Sequence, residues 1–272
     1  MTLYTRRILI LIVALCSMAM SYAQGFVAHR GEIPGSYDFW FYDPETEHDP
    51  RAHFPLLIFL HGRSLCGHDL QRVKKYGAID AVAKGRVIDT YIMAPQNPGE
   101  TWSPLKIWKI VEWAEEHYHV DKSRIYVYGM SLGGYGTIDL AATYPDKIAC
   151  AMALCGGASV RNLQGLSTLP LWIMHGTADS AVSVKESDKV VEAIRATGDD
   201  SRLIYSRMKG VNHGQLARVF YLRQTYDWLF SHSLGDPGRE INRMFDIDIN
   251  MINAAYRDLN NDDVLPFSGD EE

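Results

Sequence analysis

Short apolar runs recur along the chain at Pro55 to Leu60, Thr90 to Met93, Ile125 to Tyr128, Ile148 to Leu154 and Leu169 to Met174. The run PLLIFL is apolar at every position instead of alternating, which is the pattern of a parallel strand covered on both faces. Between the runs lie segments whose apolar residues return every three or four positions, Leu105 to Tyr118 and Val184 to Ala196, and this spacing predicts amphipathic helices. Strand followed by helix, repeated, predicts a doubly wound, mostly parallel sheet. Tyr37 to Phe41 predicts an antiparallel edge strand, RLIYSRM at 202–208 a late strand, and Ala217 to Phe230 a final helix.

The two ends depart from this alternation. MTLYTRR precedes the apolar run from Ile8 to Met20, and Ser21-Tyr22-Ala23 follows it, which is the layout of a secretory signal peptide. At 13 residues the run is short of the roughly 20 that span a bilayer. Leu15, before Cys16, stands where a lipidated cysteine would need a small residue. The expected layout is a signal peptide at 1–23, a single α/β domain at 24–233 and an acidic, partly ordered C-terminal extension at 234–272. Export to the periplasm or the exterior follows cleavage near Ala23. Within the extension, Ile241 to Leu259 has enough apolar residues to pack against something.

Charge narrows the partners. The whole chain carries 27 basic and 33 acidic residues, and loss of Arg6 and Arg7 with the leader changes a formal charge of −6 to −8. That balance argues against nucleic acid or an anionic membrane surface. Of the 4 cysteines, Cys66, Cys150 and Cys155 lie beyond the leader, too few and too scattered for a disulfide framework or a zinc knuckle. No cofactor and no metal is implied. His117 and His119 are two apart on a helix, facing different ways, and read as surface residues.

Candidate chemistry begins at Gly129-Met130-Ser131-Leu132-Gly133, a G-x-S-x-G match directly after a predicted strand and before a predicted helix. In such an elbow the serine occupies a strained turn, and glycines remove the Cβ atoms that would collide with neighbouring elements. The competing reading is a glycine-rich turn capping a helix at Ser131. A serine nucleophile needs a base within reach and a third group to hold that base's tautomer. Asp179, in His175-Gly176-Thr177-Ala178-Asp179 after the strand LPLWIM, supplies a carboxylate at a strand's carboxyl end. His213, in the loop Gly210 to Gly214, completes the order Ser, Asp, His. The oxyanion donors expected are the backbone N–H of Leu132 and that of Arg63 in the loop after PLLIFL. His61, in the same loop, reads as a structural tie. The Arg63 side chain is either a solvated charge or a grip on a substrate carboxylate.

These residues carry a resemblance. From about Pro55 to Trp228 the chain resembles the α/β hydrolases of the secreted esterase and predicted-peptidase group, which includes feruloyl and acetylxylan esterases and polyhydroxybutyrate depolymerases. The likeness rests on FLHG at 59–62, APQ at 94–96, the stretch 120–149 around GMSLGG, CGG at 155–157, HGTAD at 175–179 and GVNHG at 210–214. It implies an α/β-hydrolase fold with Ser131, Asp179 and His213 as nucleophile, acid and base. It also implies that Trp102 lines the substrate cleft, against the reading of a half-buried surface tryptophan. The loop departs from the group's pattern at Arg63, where many relatives carry a small or acidic residue. The implied activity is cleavage of a carboxylic ester through an acyl-enzyme, on a small or polysaccharide-linked substrate. A serine peptidase or lipid-directed hydrolase would use the same triad, and a non-catalytic binding module on this scaffold is the alternative from another class.

Overall fold

The computed structural model of the chain describes residues 25–44, 52–257 and 259. The expected leader and the terminal FSGDEE lie outside the described residues. The described strands are β1 (Phe26–His29), β2 (Phe39–Tyr42), β3 (Phe54–Leu60), β4 (Tyr91–Pro95), β5 (Val120–Met130), β6 (Cys150–Leu154), β7 (Leu171–Gly176) and β8 (Leu203–Met208). They form one sheet in the order β1-β2-β4-β3-β5-β6-β7-β8. β1 and β2 run antiparallel to their neighbours, and every pairing from β4 to β8 is parallel. The expected edge strand is therefore β2, but β1 covers it and takes the edge.

The unbroken apolar runs have the cause the sequence suggests: alternate residues leave the sheet on opposite faces, and both faces are buried. Leu57, Phe59, Tyr126, Tyr128, Met152 and Trp172 point to one core, and Leu56, Ile58, Ile125, Val127, Ala151 and Ile173 to the other. The first core is closed by helices α1 (Ala78–Ala83), α5 (His213–Leu216), α6 (Arg223–Phe230) and α7 (Ile249–Ala254). The second is closed by α2 (Pro104–His117), α3 (Leu132–Thr143) and α4 (Lys185–Arg195). Each fully buried Leu or Ile in these layers contributes roughly 1.5–3 kcal/mol of transfer free energy. α2 starts where Pro104 fixes the first turn and the Ser103 hydroxyl accepts from the Lys106 amide at 3.4 Å.

The final helix differs from expectation. The span 217–230 is a 3₁₀ turn at Ala217–Tyr221 and then α6, broken at Leu222, whose φ/ψ of −82°/135° is extended. The break is stabilised from α6 itself. The Thr225 hydroxyl donates to Val219 O and the Tyr226 hydroxyl to Phe220 O, each at 2.6 Å, satisfying carbonyls that a continuous helix would have paired.

The acidic C-terminal stretch is built onto the same body. Ile247, Ile252, Ala255 and Leu259 are buried in the first core. The Arg239 guanidinium donates to the carbonyls of Pro145, Ile148 and Ala149, ahead of β6. Asn242 N donates to His232 Nε2 at 3.0 Å, and Trp228 Nε1 donates back to Asn242 O at 3.0 Å.

Candidate active site

β5 ends at Met130 and α3 begins at Leu132, so Ser131 alone makes the turn. Its φ/ψ of 60°/−122° is a sparsely populated conformation for a residue with a Cβ, costing on the order of 1–3 kcal/mol. Neighbouring backbone holds it there: Ser131 N donates to Leu154 O at 2.9 Å, and Tyr135 N donates to Ser131 O at 3.0 Å. A Cβ at Gly129 would stand 2.6 Å from both Leu60 O and Gly133 O, so this close approach of strand and helix requires glycine.

Asp179 lies in the loop that follows β7, and His213 opens α5 after β8. A capping box fixes the start of α5: Gln215 N donates to Asn212 Oδ1 at 3.1 Å, and Asn212 N donates to Gln215 Oε1 at 2.9 Å. His213 is thereby set with Nδ1 donating to Asp179 Oδ2 at 2.6 Å. The other carboxylate oxygen accepts from Ala181 N at 2.9 Å and Val182 N at 2.8 Å. Burial works to raise the Asp179 carboxyl, but the Val182 amide, the His213 ring and the Ala181 amide outweigh it and hold the group below its ordinary range. Asp179 is thus an ionised carboxylate with a fully buried side chain, and His213 keeps 24% of its side chain exposed.

Ser131 and His213 line one cleft of about 560 Å³, with Gly62, Arg63, Tyr76, Leu132, Tyr135 and Val182 among the other walls. Among the described residues the Ser131 hydroxyl makes no hydrogen bond, so its contact with His213 is not closed here. Such contacts often tighten only when substrate is bound. Leu132 and Arg63, whose amides are the expected oxyanion donors, line the same cleft. Neither meets an acceptor among the described residues, which leaves both available to a ligand oxygen.

The loop that carries Arg63 is tied down from three directions. His61 Nδ1 donates to Gly62 O at 2.8 Å, and its Nε2 accepts from Asn97 N at 3.1 Å, which fixes the tautomer. Burial pushes His61 down to about 4, so the ring stays neutral and acts as the tie the sequence suggests. Tyr76 supplies the second tie, its hydroxyl accepting from Gly62 N at 2.6 Å. Sequence reasoning missed Tyr76, because its part depends on a 3₁₀ segment returning to the loop and no motif marks it. Trp102 is the third tie and a correction. It does not line the cleft but is 2% exposed beneath the loop, with Nε1 donating to His61 O at 3.2 Å. An indole packs there because Gly136 of α3 leaves room for it. The Arg63 side chain is exposed at the cleft.

Cys155 adjoins the acid: its sulfur, an Asp179 oxygen and a His213 nitrogen lie within 4.8 Å of one another. Burial raises the thiol well above its ordinary value, so it stands there as neutral S–H rather than as a thiolate ligand. Cys66 and Cys150 are likewise free thiols.

Comparison with known proteins agrees with this architecture. Residues 105–226 match the family model described as Phospholipase/Carboxylesterase. A poly(3-hydroxyalkanoate) depolymerase C of Paucimonas lemoignei is 29% identical over 164 residues, covering 54% of this chain and 37% of the depolymerase. A bifunctional acetylxylan esterase/xylanase of Neocallimastix patriciarum is 27% identical over 88 residues, covering 32% of this chain and 13% of its own. The chain thus spans well under half the length of either curated relative. A thermostable esterase of known structure superposes with a TM-score of 0.64 at 24% identity, over 77% of this chain and 63% of that one. With a mostly parallel eight-stranded sheet, helices on both faces and a serine at the strand-to-helix turn, the chain has the α/β-hydrolase fold, and its middle part is similar to the Phospholipase/Carboxylesterase family.

Proposed function

We propose that this protein is a serine hydrolase that cleaves carboxylic esters, with Ser131 as nucleophile, His213 as base and Asp179 as the acid that orients it. The observation that carries the reading is the 2.6 Å bond from His213 Nδ1 to a buried, ionised Asp179, on an imidazole that shares a cleft with a strained Ser131. That bond places the Nδ1 proton and leaves Nε2 as the proton acceptor.

In this mechanism Ser131 Oγ attacks the ester carbonyl carbon while His213 Nε2 takes the hydroxyl proton. The oxyanion accepts hydrogen bonds from the Leu132 and Arg63 amides, each worth about 10²–10³ in rate. Collapse expels the alcohol, which leaves with the proton from His213, and Ser131 carries the acyl group. Water, deprotonated by the same imidazole, then attacks the acyl-enzyme and releases the acid. Asp179 stabilises the imidazolium without taking its proton.

The Arg63 guanidinium, exposed at the cleft, suits a substrate with a carboxylate near the scissile bond. Kinship with a depolymerase and an acetylxylan esterase favours esters of hydroxy acids or acylated polysaccharide over peptides. The basic start, apolar run and small residues around Ala23 favour export, and a mature protein beginning at Gln24 is the expected product. Turnover of a panel of acetyl, butyryl, feruloyl and peptide substrates tests the reading. Ester hydrolysis that vanishes in Ser131→Ala is expected, and cleavage of peptides alone would overturn it.

A further inference from the structure

Behind the acid stands a second imidazole that the mechanism above does not use. His175, near the end of β7, is fully buried, and its Nε2 lies 3.4 Å from Asp179 Oδ2, the oxygen that also takes the His213 bond. The same Nε2 is 3.0 Å from Val182 O, while Nδ1 is 2.8 Å from the Ser187 hydroxyl on α4. Ser187 is buried as well, and its oxygen lies 2.7 Å from Gly156 O.

Proton counting on these distances favours hydrogen on Nε2. Both neighbours of Nε2, a carbonyl and a carboxylate, are acceptors only. A bare Nε2 would press its lone pair against both in a fully buried site, an arrangement penalised by desolvation and repulsion alike. Nδ1 faces a hydroxyl, which can either donate or accept. The Nδ1–H form sets a bare Nε2 against both a carbonyl and a carboxylate, whereas the Nε2–H form leaves one contact unsatisfied, because the Ser187 hydroxyl has one proton for two acceptors, Nδ1 and Gly156 O. Burial lowers His175 from its ordinary value, which keeps this form neutral.

We propose that His175 is a positioning residue for the Asp179–His213 pair: its Nε2–H is shared between Val182 O and Asp179 Oδ2 and limits how strongly that oxygen holds His213. The inference rests on the assignment of Asp179 and His213 as acid and base. The proton adds a donor to a carboxylate that already accepts from Ala181 and Val182. Each added donor spreads the negative charge and makes the carboxylate a weaker partner for an imidazolium. The Ser187 hydroxyl, 2.8 Å from Nδ1, packs against the opposite side of the ring. The other titratable groups facing His175 are His213 on α5 and Asp188 on α4, and Cys155 after β6 stands beside the Asp179–His213 pair.

Removing the donor leaves Oδ2 to His213 alone, so protonated His213 is held more firmly and the acid limb of the rate profile moves to higher pH. His175→Leu is expected to move that limb up by about half to one pH unit. It should also lower kcat about tenfold, with KM nearly unchanged, because the base and not the cleft is disturbed. His175→Gln, whose amide can donate from near the Nε2 position, should recover most of both losses. A folded His175→Leu enzyme with the wild-type acid limb and kcat overturns the proposal.

Because His175 is buried, a measurement on the wild-type protein stands beside the variants. The ¹⁵N spectrum of the His175 ring should show a protonated Nε2 and an unprotonated Nδ1 at neutral pH, and a protonated Nδ1 with a bare Nε2 overturns the proposal. The tautomer is read whether or not the triad assignment holds. That assignment fails separately, by survival of ester hydrolysis in Ser131→Ala.

Discussion

Gly133 of the nucleophile helix lies directly against Leu60 at the end of β3: a Cβ on it would stand 1.8 Å from Leu60 O and 2.5 Å from Leu60 C. The helix that starts after Ser131 and the strand that leads into His61-Gly62-Arg63 are therefore in backbone contact. The proposed nucleophile and the two proposed oxyanion amides are thereby tied to one backbone contact. Gly133→Ala must push the two apart. It is expected to cost about 2–3 kcal/mol, lowering the melting temperature by roughly 5–10 °C for a chain of this size. Thermal unfolding followed by circular dichroism checks this, and a melting temperature within a degree of wild type contradicts the contact.

Ser131 and His213 act as one unit in the proposed mechanism, so their losses should not add. Ser131→Ala, His213→Ala and the double variant should each lose about 10⁶ in kcat. Asp179→Asn should lose about 10⁴, because it mainly spoils the tautomer of His213. Steady-state kinetics on a small activated ester reads all four, and a double variant much worse than either single one speaks against a shared role.

Tyr76→Phe tests the loop independently. Without the hydroxyl, Gly62 N loses its acceptor at 2.6 Å in a largely buried setting, at a cost of about 1–3 kcal/mol. The amide next along the chain is a proposed oxyanion donor, so kcat should fall about tenfold with KM little changed. A rise in KM at constant kcat would assign Tyr76 to substrate binding instead.

Among the described residues, three buried histidines couple stability to pH. Burial lowers His61 to about 4, and lowers His175 and His232 as well. Each binds its proton more readily in the unfolded chain, whose ordinary value is 6.5, so stability is fully present above that value. It falls as pH drops from about 6.5 toward the folded values, and for His61 alone the 2.5-unit difference corresponds to on the order of 3 kcal/mol. Chemical denaturation at pH 7, 5.5 and 4.5 should show a steady decline, and His61→Gln should flatten it. Equal stability at all three values would contradict neutral burial.

Much of the fold was legible because parallel strands buried on both faces leave unbroken apolar runs, as in PLLIFL. The elbow was legible because backbone strain and close approach confine it to glycine and serine at fixed spacing. Asp179 and His213 could be placed because each sits just beyond a readable strand. What the sequence hides depends on tertiary return. Leu222 breaks the last helix through bonds from Thr225 and Tyr226, and nothing in ARVFYLRQTYDWLF signals it. Trp102 matched a cleft-lining aromatic by motif, yet its indole turns under the loop because Gly136 leaves space. Tyr76 and His175 reach the site only through contacts that sequence spacing does not encode. β1 escaped notice because four residues with half-exposed faces carry little periodicity.

The most direct measurement is covalent labelling of the folded protein by a fluorophosphonate, with the modified peptide identified by mass spectrometry. The proposed mechanism predicts one adduct, on Ser131, absent in Ser131→Ala and formed far more slowly in His213→Ala. A folded wild-type protein that takes no label, or a Ser131→Ala variant labelled at the wild-type rate, would contradict it.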